Sequence, residues 1–302
     1  MCHHNKNGEN PKRRKIMKKI ISLILTLALA CTMLVAMTSC FGGGDPVVKV
    51  IDIALSEEQY AFCVNKSDDT LKNQVNEFLA EIQQNGKFDE ICNNYFGDGT
   101  PLQIESAALD TSKDQLVVAT STGFEPFEMV EGGKFSGIDL EIAYYLAEEL
   151  DKELVIQDMQ FEAVVNSVET GTCDIGMAGL SITPDRAAVV NFTDSYYNAS
   201  QVLIVKADDT TFDECKTAAD VEAILAALTA ETKIGCQKAT TGELYIDGDN
   251  SEGGYGFPGL AATKMSYDYA ALAVTAMTNG NINYVIVDNG PAKAIAATVN
   301  GD

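Results

Sequence analysis

Beyond residue 115 the chain alternates short apolar strands with amphipathic helices, and this alternation limits the fold more than any other feature. Residues 116–120 read as a strand and 121–133 as a loop carrying Phe124, Pro126 and Phe127. Residues 138–150 read as a helix, with Ile138, Ile142, Leu146 and Leu150 on one stripe. A strand over 153–157, a helix over 162–169 ended by Gly171, and a strand over 174–178 follow. The scheme then repeats. A strand over 233–237 leads to the turn Thr240-Thr241-Gly242, then a helix over 267–279, a strand over 283–287 ending at Asp288, and a helix over 291–299. Residues 208–230 are acidic and Ala-rich and read as an outer helix. Such an order predicts an α/β fold with parallel, helix-covered sheets. Upstream, 47–53 and 60–65 read as strands. The helix over 70–85 turns Leu71, Val75, Phe78, Leu79 and Ile82 inward and is closed by Gly86. A short helix over 88–95 and a polar linker over 98–114 follow.

The first residues read as an export signal. Met17 is followed by Lys18, Lys19 and an apolar run from Ile20 to Met37, which makes Met17 a candidate start. Thr38 and Ser39 precede Cys40, and Cys31 is a poorer candidate for modification. The alternative is an uncleaved helix, since the run is about long enough to span a bilayer. Residues 1–39 are therefore assigned as signal peptide and 40–45, rich in glycine, as a tether. The roughly 260 residues that remain suit two domains better than one core.

Composition narrows the function. The chain has 21 basic and 44 acidic residues, and the portion from Cys40 onward carries a net charge of −29. Such a surface repels phosphate backbones, so nucleic acid is not an expected partner. Both histidines, His3 and His4, lie in the leader, which excludes His-based catalysis and His-rich metal sites from the remainder. Cys63, Cys92, Cys173, Cys215 and Cys236 are scattered, form no C-x-x-C pair, and read as small buried apolar residues. No cofactor and no metal are expected.

The run Gly137-Ile138-Asp139-Leu140-Glu141-Ile142, the run from Ala178 through Thr183-Pro184-Asp185-Arg186, and Asn191-Phe192-Thr193-Asp194 together resemble family 3 of the bacterial extracellular solute-binding proteins. So do Lys233-Ile234-Gly235-Cys236-Gln237 with Thr240-Thr241-Gly242-Glu243, and Val287-Asp288. The resemblance implies a two-lobed periplasmic-binding-protein-like fold of type II. It also implies a bacterial lipobox at Cys40, with Met37 where the family usually has leucine. One departure stands out. The ending Asp89-Glu90-Ile91-Cys92-Asn93-Asn94-Tyr95-Phe96-Gly97, which the family carries at its C-terminus, lies here near the start. This reads as a circular permutation, with 98–114 bridging the old ends. The rival reading is a truncated product of a tandem gene. Under permutation lobe 1 is continuous over 60–199, and lobe 2 is split into 46–59 and 200–302.

The resemblance implies binding of a free α-amino acid, polar or neutral, by hinge closure, and delivery to the permease of an ABC importer by a monomeric, membrane-anchored lipoprotein. Arg186 supplies the bidentate fork that a ligand carboxylate needs. Thr241, at the start of a predicted helix, and Ser181 complete that subsite. Asp288, at the C-terminal edge of a strand, suits the ligand ammonium, with the Gly179 carbonyl as a second acceptor; the alternative for Asp288 is a helix cap. Phe124 and Phe161 wall the pocket and Phe127 is core. Ser121 and Gln237 stand where the resemblance places specificity groups. Neither is charged, which argues against a strictly cationic ligand unless Glu125 turns inward. Two rival functions remain: a ligand-sensing module for a membrane partner, and a dehydratase-like enzyme on the same fold, for which Glu125 and Glu128 are the available acids.

Overall fold

Two five-stranded sheets and a two-stranded ribbon between them organise the chain. The computed structural model describes residues 45–301; the signal segment and Cys40 lie outside the described residues. The chain begins with β1 (Val48–Ile51), β2 (Glu58–Tyr60), β3 (Cys63–Asn65), α1 (Asp69–Gln84) and α2 (Lys87–Phe96). It continues through β4 (Gln115–Thr120), β5 (Met129–Glu131), β6 (Lys134–Ser136), α3 (Ile138–Glu149), β7 (Glu153–Asp158), α4 (Phe161–Glu169), β8 (Ile175–Gly176), α5 (Pro184–Val189) and β9 (Val190–Phe192). Then come β10 (Tyr197–Ala199), β11 (Gln201–Lys206), α6 (Ala218–Ala226), β12 (Lys233–Gln237), α7 (Thr241–Asp247), β13 (Thr263–Tyr267), α8 (Ala270–Thr278), β14 (Tyr284–Asp288) and α9 (Asn289–Asn300).

The first sheet has the order β7-β4-β8-β3-β9 and the second β1-β11-β14-β12-β13. Both are mixed, which corrects the expectation of parallel sheets. In the first, β4 runs parallel to β7 and β8, but β3 is antiparallel to β8 and β9. In the second, β12 runs parallel to β13 and β14, but β11 is antiparallel to β14 and β1 to β11. The reason is chain connectivity. Parallel neighbours need a helical crossover. β1, β3, β9 and β11 instead adjoin the ribbon in sequence, so the chain enters or leaves each sheet without one. The ribbon itself is β2 against β10, antiparallel, with Glu58 opposite Ala199 and Tyr60 opposite Tyr197.

The helices form where apolar periodicity and capping agree. In α1, Leu71, Val75, Phe78, Leu79 and Ile82 are buried, and the Asp68 carboxylate caps the helix by accepting from the Leu71 N–H at 2.9 Å. α6 carries a capping box between Thr217 and Asp220. It is shorter than the helix read over 208–230, because 208–216 form turns. The loop read over 121–133 ends in a hairpin strand, β5 pairing β6. The helix read from 267 starts later, because Thr263–Tyr267 pairs with β12.

Two further features fix the outline. The segment 98–114 lies against the first sheet: Ile104 exchanges both backbone hydrogen bonds with Phe135 at 2.8 Å, Ala107 N–H donates to Leu154, and the Ser106 hydroxyl accepts from Ile156 N–H. At the end of α9, the Asn300 amide accepts from the Val47 and Val48 N–H groups at 2.8 and 3.1 Å. It returns a bond to the Val48 carbonyl at 3.0 Å. The last helix thus abuts the first strand.

Candidate functional site

Arg186 sits in α5, a helix opened by Pro184 and capped by the Thr183 hydroxyl. Its guanidinium lies 5.2 Å from the Phe161 ring centroid, over the ring face. Nη1 donates to the Ser181 carbonyl at 2.6 Å, and Nη2 to the Ala239 carbonyl at 2.9 Å. Ala239 belongs to the second lobe, so this one side chain touches both. Burial pulls its pKa down, and the charges of Glu58 and Asp288 are among those that oppose the shift. Ala239 itself has a left-handed backbone, φ 59°, a conformation that costs a residue with a β-carbon.

Ser181 and Thr241 meet on one carboxylate. The Ser181 hydroxyl donates to Glu58 Oε2 at 2.7 Å and the Thr241 hydroxyl at 2.6 Å. Ser181 comes from the loop after β8, and Thr241 opens α7 behind its Thr240 cap. Asp288 is buried at the end of β14 and occupies the cap position of α9, yet its side chain caps no helical N–H. Its Oδ1 accepts from the Tyr60 hydroxyl at 2.6 Å. Burial, with the Glu58 charge beside it, pushes the Asp288 carboxyl up to about 7.

Gly179 also has a left-handed φ of 53°. A β-carbon there would stand 2.8 Å from the Phe124 ring, so only glycine fits. The Gly179 N–H donates to Asp139 Oδ2 at 2.9 Å, and the Tyr196 hydroxyl donates to Asp139 Oδ1 at 2.5 Å. Behind Asp139 lies Glu128, fully buried, whose oxygens accept no N–H or O–H. Burial, with the Asp139 charge beside it, pushes the Glu128 carboxyl well above its ordinary value. Glu125 is exposed and stays out of the site.

Phe124 is buried against Gly179, Phe161 is half-buried beneath Arg186, and Phe127 is fully buried core. The Ser121 Oγ and the Gln237 Oε1 are buried and have no hydrogen-bond partner among the described residues. Buried polar atoms left unpaired are costly, so both are candidates for a ligand's polar group. Across the cleft, Tyr255 donates to the Ile182 carbonyl at 2.9 Å and Gln160 to the Tyr269 hydroxyl at 3.1 Å. A pocket of about 260 Å³ is lined from both lobes by residues including Phe161, Arg186, Ala239 and Thr240. A larger, open cavity of about 670 Å³ lies at the ribbon, beside Glu58, Asn198 and Asn289. Of the candidate residues, Phe161 and Arg186 line the smaller pocket and Glu58 the larger.

Sequence reasoning missed Glu58, Tyr60 and Gln201. In β2 exposure alternates, with Glu58 and Tyr60 inward and Gln59 outward. A strand carrying Tyr60 inward places the residue two before it on the same face, and that was the available signal.

Residues 116–253 match the sequence model of the bacterial extracellular solute-binding proteins, family 3. Over those residues the chain is similar to that family. Among curated relatives, the arginine-binding extracellular protein ArtP of Bacillus subtilis is 33% identical over 99 residues, covering 33% of this chain and 39% of the relative. ABC transporter arginine-binding protein 1 of Escherichia coli is 27% identical over 179 residues, covering 59% of this chain and 65% of the relative. The chain thus spans between 39% and 65% of the length of these relatives. Among solved structures, the ancestral amino acid-binding protein AncCDT-1, a precursor of cyclohexadienyl dehydratase, aligns with a TM-score of 0.52 at 26% identity, over 61% of this chain and 74% of that one. An ancestral arginine-binding protein bound to arginine aligns with a TM-score of 0.51 at 25% identity, over 63% of this chain and 76% of that one. The two-lobed α/β architecture is common to them.

Proposed function

We propose that this protein is a family 3 solute-binding protein that binds a free α-amino acid between its lobes and hands it to an ABC importer. The observation that carries the reading is the convergence of Arg186, Ser181, Thr241 and Asp288, drawn from both lobes, on one buried spot. In this reading Arg186 exchanges its two carbonyl partners for the ligand carboxylate. Asp288 and the Gly179 carbonyl hold the ammonium, Phe124 and Phe161 wall the pocket, and Ser121 and Gln237 face the ligand side chain. Closure follows from a ligand that contacts both lobes and so favours the closed state. No step of this scheme makes or breaks a covalent bond.

Relatives named for arginine support a ligand of the basic or polar class. Ser121 and Gln237 are uncharged, but the buried carboxylate side chain of Glu58 lies beside Ser181. With Glu58 and Asp288 both near Arg186, a ligand of net positive charge fits the site at least as well. A bidentate charge pair truncated on one side costs about 3 kcal/mol or more. Arg186→Ala is accordingly expected to weaken amino-acid binding more than a hundredfold while the protein still melts cooperatively. Titration calorimetry on both proteins checks this, and retained affinity in the variant would sink the reading.

Circular permutation and the lipid anchor at Cys40 belong to the same proposal. Support for permutation comes from the abutment of α9 on β1, and from the packed segment 98–114. It comes also from the family match beginning at 116, although β1 and β3 complete both sheets. Under this reading the tether hangs from the second lobe, on the outer face of the cell membrane.

A further inference from the structure

Glu58 stands on the ribbon between the lobes with only 2% of its surface exposed. Its Oε1 accepts from the Ser56 hydroxyl at 2.7 Å and from the Gln201 amide at 3.1 Å. Its Oε2 accepts from Ser181 at 2.7 Å and Thr241 at 2.6 Å, one hydroxyl from each lobe. Gln201 also pairs with Asp288 across β11 and β14, and its amide donates to the Thr241 hydroxyl at 3.0 Å. We propose that Glu58 is a positioning residue for the ammonium subsite: it fastens a hydroxyl of each lobe to the ribbon and presents to Asp288 a charge that makes ligand affinity depend on pH. The proposal rests on the reading above, in which Asp288 takes the ligand ammonium.

Among the described residues, the groups that face Glu58 and Asp288 are few. They are Tyr60 on the same strand, Arg186 on α5, Tyr255 on the loop after α7, and, for Asp288, Glu128 from the loop before β5. Arg186 is the one cation among them. Asp288, at about 7, holds a proton in much of the population at neutral pH. An ammonium needs its ionised form, so binding expels that proton. Affinity is therefore full above about pH 8 and falls as pH drops through 7, by up to about tenfold per unit. Removing the Glu58 charge lowers the Asp288 carboxyl and moves that fall to lower pH.

The test is calorimetric affinity from pH 5.5 to 8.5 for wild type and Glu58→Gln, with the common amino acid that most raises the wild-type Tm at pH 8 as probe. The expected result is a wild-type affinity that falls below pH 7 and a variant whose fall begins at clearly lower pH. A purely structural role changes affinity equally at every pH, so parallel profiles would overturn the proposal. Should the glutamine variant fail to melt cooperatively, Glu58→Asp, which keeps the charge, is compared with Glu58→Asn, which does not. Wild type alone gives a further readout: binding at pH 6.5 in buffers of different ionisation heat is expected to release a large fraction of one proton. No release would overturn the proposal as well. If no amino acid binds at any pH, the underlying reading fails and the proposal with it, an outcome distinct from binding without pH dependence.

Discussion

Burial carries the Asp288 carboxyl from an ordinary value near 3.8 to about 7. A carboxyl raised on folding stabilises the native state fully below the unfolded value, and that contribution is lost as pH rises through the folded one. The window is therefore about pH 4 to 7. Glu128 and Asp139 are also raised, chiefly by burial, and act with the same sign. Without ligand the protein is expected to melt at higher temperature at pH 5 than at pH 8. Asp288→Asn should raise the pH 8 melting temperature, since a shift of this size amounts to a few kcal/mol, about 1.4 per unit, while abolishing amino-acid binding. Scanning calorimetry at both pH values checks the sign. Arg186, Asp288, Thr241 and Ser181 are singled out by the runs that resemble the family, with charge and a strand end as added marks for Arg186 and Asp288. Glu58 carries only one mark, its place two residues before Tyr60 on the same strand face. Glu57 is exposed, and only the pairing of β2 with β10 buries its neighbour.

Among elements, helices with a clear stripe were legible to within a residue or two: α1, α3 and α4 start and stop close to where their apolar periodicity does. The elements that were not legible share a cause. β5 and β6 are three residues each and partly exposed, too short for a period-two pattern to register. β13 is half-buried at all five positions and shows no alternation; its partner β12, not its own sequence, makes it a strand. The end of α9 carries a prediction of its own. Asn300 makes three hydrogen bonds, one to Val47 and two to Val48 at the start of β1, from a helix end followed by left-handed Gly301. Net hydrogen bonds contribute about 1 kcal/mol each and a backbone group left unpaired costs more. Asn300→Ala is therefore expected to destabilise by roughly 1–3 kcal/mol in urea unfolding with little effect on ligand affinity. A change below a few tenths of a kcal/mol would show that the last helix and first strand are not energetically joined.

For the whole molecule, the α/β class and the two lobes follow from alternation and length. The mixed character of the sheets does not, because it depends on where the chain crosses the ribbon. β1, β3, β9 and β11 all lie next to a crossing. If the order is a permutation, a chain that joins residue 301 to residue 46 and opens within 98–114 keeps every sheet pairing. It is expected to fold, to bind the same amino acid within a few-fold of the parent, and to differ in stability by a modest loop-closure term, since that term grows only slowly with loop length. An insoluble or molten product would count against permutation as the origin of this order.

The central claim is that the cleft takes a free α-amino acid. It is tested most directly by a thermal-shift screen of the protein from residue 41 onward against the common amino acids, cystine, ornithine and short peptides. Ligand that binds only the folded state adds about 4 kcal/mol at a thousandfold excess over Kd. The account predicts a clear rise in Tm with one or a few free amino acids, and none with peptides. A protein that melts cooperatively and shifts with no amino acid would contradict it.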